Sequence, residues 1–532
     1  MAGEDRSAAN HAASRQIGGR FPRRRFLTGA TALGGIALAA GASLPGCAAF
    51  GTAPAPTPTF QPAVGETGAE RAVNAARQFR GATIRIGWES GLQAQDPILY
   101  SGPLWEQLTG IRVVVVETGL AKEQQERILR EQASGFSTLD CASIAPTSLA
   151  ELVAANAVRP LDDFIEHYMP PADREDYLPA YRDLGVIDGR TYGLFDDGDA
   201  LLVYYRTDLF ADPANQRDFA AAYGRPLGTP EAYDLAQFLD VARFITERFA
   251  PGLYGLAPFN RDLRWGWFQA LLRVAGGQFF DPATMRAMVN APAAVQTMAA
   301  LARMDRFMPP DASDVDPPVL ISTYLSGNAA MASYWPPLGR WAEGVGQVAP
   351  HQTAIPPTQV SGRTGYALLP GGYTELAVGF VLSVLSASQQ PEPAYLFLQW
   401  LTSPEISLQR VMLPYALRDP YRLSHFRSQT YRERWPSAPA YLDTLMAGGE
   451  RALLDLIIPG VFAYTDAFHV AVTNVRLGTS VQAAMDEMAA SWDAITDSLG
   501  RDRQREAYHK YLQTPGATVS SLSQATRPRG LA

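Results

Sequence analysis

Trp88-Glu89 is the first place in the sequence where residue type and position together suggest chemistry. The pair closes the alternating, β-branched run Ala82-Thr83-Ile84-Arg85-Ile86-Gly87-Trp88, so it stands at the carboxyl end of a strand, where open α/β sheets form crevices. An indole face covers C–H groups and a carboxylate accepts from hydroxyls, which suits a small molecule with polar edges and apolar faces. Trp335 follows the run Ala330-Met331-Ala332-Ser333-Tyr334 in the same way. Burying one face of such a ring, on the order of 100 Å² at about 25 cal/mol per Å², contributes roughly 2 to 3 kcal/mol gross. Of the nine Trp, Trp105, Trp400 and Trp492 lie in helical patterns and read as core. Asp196, Asp197 and Asp199 crowd one Gly-containing segment, but their spacing is not that of a Ca²⁺-binding loop, so no metal is expected.

Nothing organises covalent chemistry. No Gly-x-Ser-x-Gly elbow, His-Glu-x-x-His pair or phosphate loop occurs, and the six His are scattered singly. His167, His351, His425 and His469 read as surface or satisfied core residues, and Asp162-Asp163 reads as a solvated helix face. An exported carbohydrate-active enzyme, which would also want aromatic platforms and paired carboxylates, is therefore the alternative reading. No cofactor is expected.

Two cysteines lie in different contexts. Pro22-Arg23-Arg24-Arg25-Phe26-Leu27 sets a twin-arginine pair before a weakly hydrophobic stretch, Thr28 to Leu44, which reads as an export signal. The stretch ends in Leu44-Pro45-Gly46-Cys47, which resembles the lipobox of bacterial lipoproteins; that resemblance implies that residues 1–47 are a signal peptide and that Cys47 is lipidated. Cys141 would then have no disulfide partner, and in Leu139-Asp140-Cys141-Ala142-Ser143-Ile144 it reads as a buried, inert thiol. Residues 48–80, rich in Pro, Thr and Ala, read as an extended tether. Past the first fifty residues no apolar run is long enough to span a bilayer. Net charge is −8 and Lys occurs only at positions 122 and 510, so the footprint of a nucleic-acid partner is missing.

These positions need elements to hold them. A helix around Ile98 to Leu108 ends at Thr109-Gly110, and Ile111-Arg112-Val113-Val114-Val115-Val116-Glu117 is a near-continuous apolar run typical of a strand buried on both faces. A charged helix, Lys122 to Gln132, leads to the strand around Cys141, and Leu149, Leu152 and Val153 mark one face of the next helix. This β-α-β-α-β alternation predicts a doubly wound sheet. Thr229-Pro230-Glu231 opens a helix that runs through Phe238, Val241 and Ile245. Amphipathic helices are expected at Ala394 to Leu401 and Val481 to Ile495, and residues 501–532 read as a flexible tail.

Five stretches in order give the chain a family resemblance. Tyr192-Gly193-Leu194 through Tyr204-Tyr205-Arg206-Thr207-Asp208-Leu209-Phe210, then Thr229-Pro230-Glu231-Ala232-Tyr233, then Gly276-Gly277 with Asp281 and Asn290-Ala291-Pro292 form the first three. Leu325-Ser326-Gly327-Asn328-Ala329-Ala330-Met331 and Leu369-Pro370-Gly371-Gly372 complete the set. Together they resemble the family 1 extracellular solute-binding proteins of ABC importers, the maltose-binding-protein-like class. The resemblance implies an α/β fold of two doubly wound lobes joined by a multi-crossing hinge, periplasmic-binding-protein-like and of type II. Lobe 1 would hold residues 81–200 and 373–430, and lobe 2 residues 201–372 and 431–500.

It also implies a monomeric, lipid-anchored protein on the outer face of the cytoplasmic membrane, periplasmic or displayed at the cell surface. Its partners would be a mono- or oligosaccharide and the permease subunits of an importer, or, in a second alternative, a sensing pathway without a transporter. By the same resemblance the ligand contacts extend to Thr147 and Ser148, Asp199, the run Arg264, Trp265 and Trp267, and Tyr464 with Asp466. Thr147-Ser148 stands where the maltose-binding class carries an Asp-Arg pair, which counts against a maltodextrin.

Overall fold

Short apolar strands of two separate sheets carry the architecture of the computed structural model, which describes residues 58–310, 315–345, 355–376, 379–415 and 417–522. The export signal, Cys47 and the first part of the tether lie outside the described residues, as does the end of the tail from residue 523.

The first sheet has five strands in the order β2-β1-β3-β12-β6. They are β1 (Thr83–Trp88), β2 (Arg112–Glu117), β3 (Cys141–Ile144), β6 (Leu194–Phe195) and β12 (Val381–Val384). β1 runs parallel to both β2 and β3, and β12 runs antiparallel to β3 and β6. The second sheet, β10-β7-β9-β8, joins β7 (Leu202–Arg206), β8 (Tyr254–Leu256), β9 (Ala329–Tyr334) and β10 (Thr364–Ala367). Two small pairs remain, the hairpin β4 (Val186–Ile187) with β5 (Arg190–Thr191), and the parallel pair β11 (Thr374–Leu376) with β13 (Ala452–Leu454). The chain thus leaves the first sheet after β6, builds the second, and returns at β12. This gives two α/β lobes, with the chain crossing from one sheet to the other and back.

Cys141 opens β3 fully buried with no disulfide, and burial pushes its thiol well above its usual range. Trp105, Trp400 and Trp492 are core, the first two rings tilted at 46° to each other with centroids 5.4 Å apart. Helices stand at Gly102–Thr109, closed by the left-handed Gly110, and at Pro391–Thr402 and Val481–Leu499.

Four expectations change. The valine run of β2 is the sheet's edge and stays half-exposed, because only one neighbour, β1, flanks it. Thr229 does not cap a long helix: Pro230–Ala232 is a single 3₁₀ turn, Tyr233 is extended, and Asp234 caps the helix Leu235–Phe249 by accepting from Gln237 N at 2.7 Å. The tail holds a helix, Arg501–Gln513, whose buried Tyr508 and Tyr511 face inward, and Gly516 O then accepts from Leu454 N of β13 at 2.8 Å.

The tether, expected to run to residue 80, gives way to folded chain well before that. Glu392 accepts from the backbone N–H groups of Thr59, Phe60 and Gln61 at 2.8, 3.2 and 3.0 Å, and Tyr168 Oη donates to it. Thr67 and Glu70 then form a capping box that starts the helix Gly68–Ala76. Its Ala72, Ala75 and Ala76 sit against Pro391–Thr402, so alanines that read as linker composition are a close-packing face. Because Glu392 is buried and collects three backbone donors, Glu392→Ala should free this strap and lower unfolding free energy by about 2 to 3 kcal/mol, measured by urea titration. Limited proteolysis of the same variant should cut between residues 58 and 67 well before the native chain is cut.

Candidate functional site

Carboxylates and guanidinium groups meet where the chain crosses from the first sheet to the second. Asp196 and Asp197 follow β6 and are fully buried, so each requires a partner in place of water. Arg410 supplies one. Its Nη2 lies 3.0 Å from Asp196 Oδ2, its Nη1 pairs with Asp196 Oδ1, and its Nε holds Asp96 Oδ2 at 2.6 Å. Arg418 supplies the other, with Nη1 at 2.6 Å from Asp197 Oδ2 and Nε at 3.4 Å from Asp196 Oδ2. Asp197 Oδ1 also accepts from Asp419 N at 2.9 Å, and Arg340 Nη2 sits 3.2 Å from Asp419 Oδ1.

Gly198 permits this approach. A Cβ there would stand 2.0 Å from Pro420 O, and its N–H donates to Asp419 O at 3.1 Å. Carboxylate oxygens of Asp197, Asp199 and Asp419 lie within 4.8 Å of one another, and Asp419 Oδ2 receives no donor among the described residues. Buried carboxyls this close favour the protonated form. Burial and the neighbouring Asp197 and Asp419 hold Asp199 well above the usual carboxylate range, and burial pushes Asp419 up to about 6 against the pull of Arg340 and Arg418.

Trp88 lies beneath this network. Its ring is fully buried with the Arg418 guanidinium 5.0 Å from the ring centroid, and its Nε1 has no acceptor among the described residues. Glu89, next in the chain, keeps part of its surface accessible; burial, then Asp262 and Glu123, raise its carboxyl to about 7 against Arg418. Asp262 belongs to the first turn of the helix Arg261–Val274, which Asn260 caps by accepting from Leu263 N at 2.9 Å. It is exposed, yet surrounding protein desolvates its carboxyl and raises it. Tyr334, at the end of β9, feels Asp199, Asp262, Asp419 and Glu89 together. Trp335 stands edge-on to it at 5.1 Å, half-exposed. The end of β1, the crossing, the loop around Arg418-Asp419, the start of Arg261–Val274 and the end of β9 therefore meet at one acidic, aromatic junction.

The structure brings Trp88, Glu89, Asp199 and, beside Tyr334, Trp335 to this junction. Thr147 and Ser148 are buried in the first turn of the helix Pro146–Ala154, just after β3, the neighbour of β1. Four other positions are inside the protein. Trp267 Nε1 donates to Ser333 Oγ at 2.8 Å between Phe238 and Phe259. Trp265 packs on Phe468 and Trp492, and Tyr464 Oη pairs with Thr496 Oγ1 at 2.9 Å. Arg264 Nη2 reaches Asp305 Oδ1 at 2.6 Å. The motif Arg264-Trp265-Gly266-Trp267 lies along one helix whose whole inner turn is buried, which is why its indoles read as platforms from sequence and pack as core. Asp466 is exposed and bridges Lys122 Nζ at 2.8 Å and Arg261 Nη2 at 3.7 Å.

Sequence reasoning missed Arg410, Arg418, Asp419, Arg340 and Asp262. The available signal was Arg418-Asp419 set in the otherwise apolar, Pro-punctuated run Met412 to Tyr421.

Two outcomes follow from these charges. Arg418→Met leaves Asp197 buried without its counter-charge and should cost about 3 to 5 kcal/mol in urea unfolding. For Glu89 the sign runs the other way: a carboxyl raised to about 7 in the folded state binds its proton more tightly there than in the unfolded chain. Its contribution is therefore full at low pH and is lost as pH rises from about 4.5 to about 7. With a discount for partial exposure, Glu89→Gln should be more stable than the native chain by about 1 to 2 kcal/mol near pH 8, the gap closing near pH 4, as read by thermal melts across pH.

The fold has relatives among solved structures. An ABC transporter solute-binding protein from Agrobacterium radiobacter K84, in complex with ribitol, matches with a TM-score of 0.62 at 19% identity over 78% of this chain and 99% of its own. Maltose-bound MalE3 of T. maritima matches with 0.62 at 18% identity over 78% and 100%. The GacH receptor of Streptomyces glaucescens, described unliganded and with acarbose, matches with 0.59 at 18% identity over 78% and 98%. No curated protein sequence matches the chain. The profile of the family described as Bacterial extracellular solute-binding protein matches residues 89–407, more than half of the chain, and the protein belongs to that family.

Proposed function

We propose that the protein captures a carbohydrate or polyol between its lobes and delivers it, chemically unchanged, to the permease of an ABC importer. The observation that carries this reading is the junction itself, where groups from both sheets converge on one accessible patch: Glu89 after β1, Asp199 at the crossing, Asp262 and Trp335 beside the second sheet. Carboxylates beside an aromatic face are what a hydroxyl-bearing ring requires. The ribitol, maltose and acarbose of the structural relatives support that ligand class.

In this reading lobe 1 comprises residues 81–200 and 373–430 and lobe 2 residues 201–372 and 431–500. Thr147 and Ser148 back the wall formed by the ends of β1 and β3. Ligand contact with both lobes favours the closed arrangement by differential affinity. The Lys122–Asp466–Arg261 bridge ties a helix of the first lobe to helices of the second and favours the same arrangement at the rim. The protein acts as a monomer, held at the outer face of the cytoplasmic membrane by lipid on Cys47. Among the described residues no helix is long and apolar enough to cross a membrane.

Calorimetry over a panel of sugars and polyols should show saturable binding in the micromolar range, about −8 kcal/mol, with the ligand recovered intact by chromatography. Trp335→Ala should weaken the best ligand about tenfold or more. Turnover of the ligand would replace capture with catalysis. Cys47→Ala should move the protein from the membrane to the soluble fraction; retention in the membrane contradicts the anchor.

A further inference from the structure

We propose that the ligand taken at this junction carries a protonated amine beside its hydroxyls, as an amino sugar does. The inference rests on the capture reading above.

Charge at the junction does not balance. Asp96, Asp196, Asp197, Asp199 and Asp419 face three guanidinium groups, those of Arg340, Arg410 and Arg418. Five carboxyls against three guanidinium groups leave two in excess, and burial holds Asp197 and Asp199 well above the usual carboxylate range, so protons answer that excess inside the crossing. Glu89 and Asp262 then add two more carboxyls on the accessible side, with Glu123 behind Glu89. The nearby cations are engaged elsewhere: Lys122 and Arg261 both lie against Asp466, and of the two only Arg261 lowers the Asp262 carboxyl. Like charges held together in partly desolvated surroundings are relieved by a cation, and the surfaces of Glu89 and Asp262 remain open to one.

The same place also holds donors that have found no acceptor. Arg418 Nη2 and Trp88 Nε1 are buried N–H groups without a partner among the described residues, and Arg418 is only 1% exposed along its side chain. Buried donors of this kind call for an oxygen atom. A bare divalent cation would leave them unmet. Although carboxylate oxygens of Asp197, Asp199 and Asp419 lie within 4.8 Å of one another, a guanidinium nitrogen already stands 2.6 Å from Asp197 Oδ2 and opposes a metal there. An ammonium on a hydroxylated ring meets both needs: its charge answers the surplus carboxyls, its oxygens accept from Arg418 and Trp88, and the half-exposed Trp335 offers a ring face for cation–π contact.

The experiment uses the full-length protein in detergent micelles at low salt and about pH 7.5, where the raised Glu89 and Asp419 carboxyls are ionised. Calorimetry compares the disaccharide of two β-linked glucosamine units, its N-acetylated counterpart and maltose. The free amine should bind about tenfold or more tightly than its acetylated form. That ratio should fall toward about one at high ionic strength, and also on lowering the pH to about 5, where Glu89 and Asp419 take up protons. In Glu89→Gln and Asp262→Asn the ratio of the two affinities should drop severalfold; an unchanged ratio in both overturns the assignment. Equal or tighter binding of the acetylated disaccharide or maltose overturns the inference and leaves the capture reading standing. Failure of all three sugars to bind overturns both. Binding of Ca²⁺ alone that Asp199→Asn abolishes overturns it in favour of a metal.

Discussion

The buried ion network at the chain crossing is the constraint on which the rest of the structure depends. Asp196 and Asp197 lie on the segment that leaves the first sheet, and the guanidinium groups that neutralise them come from Arg410 and Arg418, more than two hundred residues later. A carboxylate inside protein costs several kcal/mol unless it is paired, so these four side chains cannot be separated without a large penalty. The late segment from the helix Pro404–Val411 to Tyr421 is thereby pinned against the hinge. Glycine at 198 makes the contact sterically possible, and the Arg418 guanidinium, once in place, covers Trp88 and Phe380.

That arrangement explains why the candidate site is polar where sequence reasoning expected an open indole. Trp88 does stand at the end of β1, as the strand pattern requires, but its face is covered by Arg418 and its neighbour Glu89 holds the accessible position. The indole then acts as a floor: it fixes the guanidinium that fixes Asp197. Burial of Trp88 and accessibility of Glu89 are two results of one packing event. Unlike a ring presented bare to solvent, such a floor also sets the charge of everything above it.

Local pattern was a good guide wherever neighbours in sequence decide the outcome. The β-α-β alternation from residue 83 to 154, the inert Cys141, and the core positions of Trp105, Trp400 and Trp492 all follow from periodicity and residue type. Distant partners were not legible. An edge strand and a central strand share the composition of Arg112–Glu117, and only sheet order tells them apart. The alanines of Gly68–Ala76 look like linker until Pro391–Thr402 arrives to cover them. Half of the junction was visible: Trp88, Glu89 and Trp335 because each stands at a strand end, and Asp199 through the family resemblance. Arg418 and Asp419 adjoin none, and no period or motif announces a charged pair brought in from an irregular loop.

Acid-rich closure has a cost that the fold offsets in two different ways. Deep in the crossing, arginines neutralise carboxylates, which pins the crossing segment to the late loop around Arg418. Toward the accessible side, Glu89, Asp199 and Asp262 lack such partners, and raised proton affinity takes their place. A proton is a weak and exchangeable substitute for a fixed guanidinium. The two regimes lie a few ångströms apart, and the Asp199 and Asp419 carboxyls mark the boundary between fixed ion pairs and carboxyls held by protons.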